Sequence, residues 1–188
     1  MKSCVLSTFS CDTTRSKTSR VKPFRLQFPL ADVKALAARY DFDEDVDVAA
    51  AGAAARARGH YTKTELVLVC EWKTPRSRSR VASNTPAFVK AATGAAFATE
   101  DEAERMAVLC SLQGVHAPTA SVLLHFAFPD RYPIIDWRAL ESLGQPRRSA
   151  YTIGYWLAYL DACRELASRA HVTMRVLDKA LWQYSRER

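Results

Sequence analysis

Leu112-Gln113-Gly114-Val115-His116-Ala117-Pro118-Thr119-Ala120, with Asp136 of Ile134-Ile135-Asp136 sixteen residues after Ala120, decides how this chain is read. The first nine residues spell the end of one helix, a tight turn around Gly114 and the start of a second helix at Pro118, which suits a first helical turn. A turn of this kind directs backbone N–H groups outward at a helix N-terminus and so makes a site for an anion such as phosphate. Asp136 then stands at the start of a third, short helix that Gly144 would stop. As an ordinary N-cap it needs no further role; as a carboxylate delivered beside a phosphate site it has chemistry to offer.

Outward from this core, the pattern is helical. Leu30–Tyr40 carries Leu30, Val33, Leu36 and Ala37 at core spacing, and Val48–Arg58 is an Ala-rich helix ended by Gly59. Thr64–Trp72 contains Leu66-Val67-Leu68-Val69-Cys70, whose β-branched content suits a buried strand but whose helical surroundings favour a buried helix. Pro75 ends it, and Arg76-Ser77-Arg78-Ser79-Arg80 is expected as a basic turn. Asn84-Thr85-Pro86 opens the next helix, and Thr99-Glu100-Asp101-Glu102 matches a capping box for one running to about Leu112. Helices at roughly 150–168 and 174–186 close the chain. The expected class is all-α.

Composition narrows the partners. The 188 residues, 48% apolar and 25% charged, suffice for one cored domain, and no apolar run approaches the roughly 18 residues of a membrane span. Residues 1–22 hold Lys2, Arg15, Lys17, Arg20 and Lys22 against Asp12, and are expected as a flexible basic arm ahead of a helical domain over 23–188. No secretory apolar core is expected, because Val5-Leu6 is soon interrupted by Ser and Thr. Cys4, Cys11, Cys70, Cys110 and Cys163 are odd in number and lack metal-type spacing, so reduced thiols, no metal and a cytoplasmic location are expected. The acidic knot of Asp41, Asp43, Glu44, Asp45 and Asp47 lacks the glycine and ligand order of a calcium loop. A formal charge of +7 favours a polyanion.

Two side-chain groups stand out as candidates. Lys73, Arg76, Arg78 and Arg80 place four cations in eight residues beside Trp72, which suits a phosphate track with a stacking surface, or else a solvated turn with an inward Trp72. Asn84 and Gln113 are plausible polar contacts near the turn. Asp178 could pair with Arg175 or Lys179 on the closing helix.

The stretch Leu112–Ala120 resembles the L-P-G-V-G-x-x-T-A hairpin of the helix-hairpin-helix DNA glycosylase superfamily, and Ile135-Asp136 is similar to that family's V-D segment. Motif-level likeness covers about residues 105–143. It implies DNA as partner, a monomer, association with DNA in the cell, and base-excision cleavage of an N-glycosidic bond. Asp136 would be the catalytic carboxylate. Gln113, Gly114, Val115, His116, Ala117 and Thr119 would contact DNA, helped by Lys73, Arg76, Arg78 and Arg80, with a monovalent cation allowed at the hairpin and no other cofactor. Trp72, Tyr132 and Trp137 would wall the base pocket, since a base leaving the stack needs apolar or aromatic surfaces.

Two departures from the pattern carry consequences. His116 replaces the second glycine, so the turn must tolerate a side chain where positive φ would be unusual. Pro118 occupies the position of the Schiff-base lysine of bifunctional members, which implies a monofunctional enzyme. The alternative is a DNA-binding protein that keeps the scaffold with a purely structural Asp136; a basic docking surface for RNA or an acidic protein is a third.

Overall fold

A computed structural model describes residues 22–41 and 45–188, and among these every regular element is helical. The basic arm up to Val21, and Asp43 and Glu44 of the acidic knot, lie outside the described residues. In chain order the helices are α1 (Val33–Ala38), α2 (Val46–Arg58), α3 (Lys63–Lys73), α4 (Arg78–Ala82), α5 (Pro86–Ala98), α6 (Glu102–Cys110), α7 (Ala117–Ala127), α8 (Trp137–Ser142), α9 (Ile153–Ala170) and α10 (Met174–Arg186). No helix among the described residues is long and apolar enough to cross a membrane.

Local chemistry sets most boundaries. Thr62 begins α3 with a full capping box: its hydroxyl accepts from Glu65 N–H while the Glu65 carboxylate accepts from Thr62 N–H. Gly59 closes α2 at φ 84° and Gly144 follows α8 at φ 68°, the left-handed region that glycine enters without steric cost. Leu66-Val67-Leu68-Val69-Cys70 is helical; a strand there would find no partner strand among the described residues. Three expectations change. The cap of α6 is Asp101, whose carboxylate accepts from Ala103 and Glu104 N–H, rather than Thr99. Leu30–Asp32 is a 3-10 turn that precedes a shorter α1. The 76–80 segment is not a plain turn, because a 3-10 turn at Pro75–Ser77 passes directly into α4.

Packing is centred on α7, which is buried at every residue but Pro118 and is mostly apolar, as a helix enclosed by others must be. It lies against α2, α3 and α6. The α2 contact is close enough that a Cβ built on Gly52 would fall 2.3 Å from the Phe126 carbonyl carbon, so only glycine fits. On the other side α10 packs on α1, α8 and α9. The segment before α1 is stitched down by Arg25 N–H to Leu143 O and Gln27 N–H to Ser142 O, each 2.9 Å. Lys22, expected as the end of the arm, donates to Gly144 O at 3.0 Å. The α3/α7 side and the α8/α10 side meet along a seam, and the candidate site lies in it.

Candidate functional site

The hairpin joins α6 to α7 through residues 111–116. Gly114 has φ 77°, and a Cβ there would also lie 2.8 Å from Arg80 Cβ and 3.0 Å from Val81 N. Backbone conformation and the close approach of α4 therefore both demand glycine at this position. His116 does not share the constraint: it is extended, at φ −124° and ψ 172°, and its exposed side chain costs the turn nothing. Among the described residues the left-handed one with a side chain is His171, far along the chain, at φ 51°. Asn84 holds the hairpin rather than waiting for a ligand. Its side-chain carbonyl accepts from Gln113 N–H at 2.9 Å, and its amide donates to Gln113 O at 3.0 Å and Val81 O at 2.8 Å.

The start of α7 has no side-chain cap, so the N–H groups of Ala117 and Thr119 face the hairpin without an intrahelical acceptor. They border a groove of about 970 Å3 whose lining includes Arg76, Arg80, Gly114, His116 and Thr119. No acidic side chain is among its described lining residues. Val115 is buried and supports the turn from below, and Gln113 is exposed. Arg78 turns away from the groove and pairs with Glu71.

Asp136 lines a second depression, of about 450 Å3, a size within the roughly 300–1,000 Å3 typical of small-molecule sites. Its two oxygens are divided. Oδ1 accepts from Ala139 N–H at 2.7 Å and caps α8; Oδ2 lies 3.3 Å from Lys73 Nζ. Lys73 is the last residue of α3, which stops because Pro75 cannot continue it. Both side chains are mostly but not fully covered, at 14% exposure for Lys73 and 18% for Asp136. Trp72 lines the cavity and packs edge-on against Phe126, ring centroids 5.2 Å apart. Trp137 lines it too, with the Arg138 and Arg147 guanidiniums 4.2 and 4.0 Å from its ring centroid. Tyr40, Tyr151 and Trp182 complete the aromatic lining.

Tyr132 does not belong to this pocket. It is fully buried in the core, its hydroxyl donates to Glu102 at 3.0 Å, and Arg105, Arg131 and Arg164 surround its ring. Burial pushes the Glu102 carboxyl up, but bonds from Arg164, Tyr132 and Arg105 outweigh it and hold it below its ordinary value.

The floor of the cavity is ionic. Arg175 pairs with Asp45 and donates to Asp178 Oδ2 at 2.6 Å, while Asp178 Oδ1 accepts from Ile134 N–H at 3.2 Å. Of the two partners open in the sequence, Arg175 and Lys179, Asp178 takes Arg175, and it does so inside the cavity. Burial pushes the Asp178 carboxyl up to about 6, against the pull of Arg175. A signal existed: Asp178 lies four residues after Met174 and three before Leu181, on the apolar stripe of α10, where an acid is out of place. Among the described lining residues three carboxylates, Asp45, Asp136 and Asp178, face three cations, Lys73, Arg76 and Arg175. The cavity is thus balanced in charge and aromatic, whereas the adjoining groove is cationic. Thr74, Arg76, Pro118 and Tyr151 border both, so the two are continuous.

Comparison with known proteins adds no relative: no family model, curated protein or solved structure matches the chain.

Proposed function

We propose that the protein is a DNA base-excision N-glycosylase built on the helix-hairpin-helix glycosylase plan that the 112–136 motif resembles. The observation that carries this is the second oxygen of Asp136, which faces an aromatic, charge-balanced cavity continuous with a cationic groove at the hairpin. The groove suits backbone phosphates, with Arg76, Arg80 and the first amides of α7 as ligands. The cavity suits an uncharged planar base turned out of the stack, with Trp72 and Trp137 available as walls. As the bond from C1′ to the base breaks, its electron pair leaves with the base and positive charge grows on the sugar. Asp136 Oδ2 stabilises that charge, and water adds to C1′, one of its protons going to the departing base.

Asp136→Asn tests this. Asparagine keeps the helix cap but removes the charge, so base release should fall at least about 100-fold while duplex affinity stays near that of the parent. The substrates are duplexes carrying different damaged or modified bases, scored for abasic sites after alkali. The cap bond to Ala139 favours a second reading, a DNA-binding protein with a structural Asp136. That reading stands if the parent releases no base from any member of the panel yet binds duplex.

A further inference from the structure

Asp45 and Arg175 line the Asp136 cavity and also a separate hollow, of about 440 Å3, between α2 and the end of α7. No other described residue borders both. Ala49, Ala53 and Ala57 follow at four-residue spacing on α2 and give this hollow a wall of methyl groups, to which Phe126 adds an aromatic surface. Ala53, Arg56 and Ala57 are exposed at the rim, whereas His125, 1% exposed, marks the deep end. The polar atoms there are acceptors in need of a donor. His125 donates from Nδ1 to Tyr132 O, and burial, with Arg175 and Lys73 nearby, keeps the ring neutral, so Nε2 carries a bare lone pair. No described residue donates to it. Asp45, close enough for its charge to act on that ring, gives one oxygen to Arg175, while its Oδ1 is buried without a partner among the described residues. A buried acceptor left unpaired is costly, so two of them beside one apolar hollow point to a donor from outside the chain.

We propose that this hollow is a binding site for a small neutral heteroaromatic molecule, which donates N–H groups to His125 Nε2 and Asp45 Oδ1 and lays its ring along the alanine row of α2. Charge narrows the class to a neutral one. Arg56 and Arg175 face Asp45 alone among the charged lining residues, which disfavours a cation, and the two acceptors repel an anion. Water meets the need for a donor but leaves the methyl wall and Phe126 wet; an aromatic ring covers both. The volume falls within the range of small-molecule sites. This site goes beyond the glycosylase reading and does not depend on it. It also lies against that reading's cavity, because the Asp45–Arg175 pair walls both.

The test uses the full chain, isotope-labelled at its histidine nitrogens, near neutral pH. The probe is 7-aminoindole, a neutral ring with two kinds of N–H donor on one edge; 7-methylbenzofuran has nearly its shape and no donor. 7-Aminoindole should bind saturably and move the His125 Nε2 resonance upfield, the direction taken by an imidazole nitrogen that accepts a hydrogen bond. 7-Methylbenzofuran should bind at least about 10-fold more weakly, because it leaves both acceptors unpaired. Ala53→Leu adds bulk at the exposed rim, where it costs the fold little, so it should melt like the parent and lose binding and the resonance shift together. Ala57→Leu, also at the rim, should do the same. No movement of the His125 resonance with 7-aminoindole overturns the proposal, as does equal binding of the two compounds, which would make the hollow a plain apolar surface. Unchanged binding in both leucine variants places the compound elsewhere and overturns it too. Base release from duplexes, present or not, bears on the glycosylase reading alone.

Discussion

At the scale of the residue, two buried ionisable groups oppose each other over one pH window. His125 donates from Nδ1 to Tyr132 O at 2.7 Å, and burial, with Arg175 and Lys73 nearby, lowers its pKa from 6.5 to about 4. A histidine held neutral contributes stability above its ordinary pKa and loses it as pH falls toward 4. Asp178 runs the other way: burial chiefly, and the Asp136 charge, raise it from 3.8 to about 6 against Arg175, Lys73 and the Ile134 amide. Its contribution is complete below the ordinary carboxylate range and is lost as pH rises through about 6. Each amounts to about 3 kcal/mol, so between them the parent's stability should change little from these groups across the window. Asp178→Asn removes one of the two. Its melting temperature should fall more steeply than the parent's as pH is lowered from 6.5 to 4, the span of the His125 shift; parallel profiles would show that Asp178 does not titrate there.

At the scale of the element, the hairpin is a rigid part because three constraints fix it. Asn84 pairs with both backbone groups of Gln113, Gly114 takes a conformation closed to other residues, and α4 presses on the turn. Gly114→Ala adds left-handed strain and a clash with Arg80 Cβ and Val81 N. It should cost about 1–3 kcal/mol, read in urea unfolding, and weaken duplex binding, because α4 and the α7 amides would move apart. Equal stability in the variant would mean that the turn can be re-formed without the left-handed residue. His116, the position that looked strained in sequence, should accept alanine or glycine with little change in stability, since its backbone is extended.

At the scale of the molecule, charge is sorted by location. A groove with no acid among its described lining residues adjoins a cavity in which acids and bases balance, which is the division that a nucleotide imposes: charged backbone outside, uncharged base inside. Duplex affinity should fall with rising salt as counterions are displaced. In titrations between about 50 and 200 mM salt, the double variant Arg76→Ala, Arg80→Ala should reduce the slope of log Kd against log salt by about 1–2. An unchanged slope would place the phosphate track elsewhere. Arg78 should contribute little to that slope, because Glu71 already neutralises it.

Short-range chemistry was legible in the sequence. The all-α class follows from apolar spacing and from caps and stops a few residues apart, and the capping of α8 by Asp136 follows from its place before Trp137-Arg138-Ala139-Leu140. Side-chain destinations were not. Tyr132 reads like a pocket aromatic and is buried among Glu102 and three arginines; Asp178 reads like a partner for Arg175 or Lys179 and lies at the cavity floor. Lys73 reads like one cation in a basic run, and only the seam between α3 and α8 turns it toward Asp136. These assignments depend on which helix faces meet, set by contacts between residues as far apart as Lys73 and Asp136, or Asp45 and Arg175. Local periodicity carries no information about such distances, so the chain itself determined its helices, its hairpin and its capping carboxylate, while tertiary packing decided which amine, which aromatics and which buried acid surround that carboxylate.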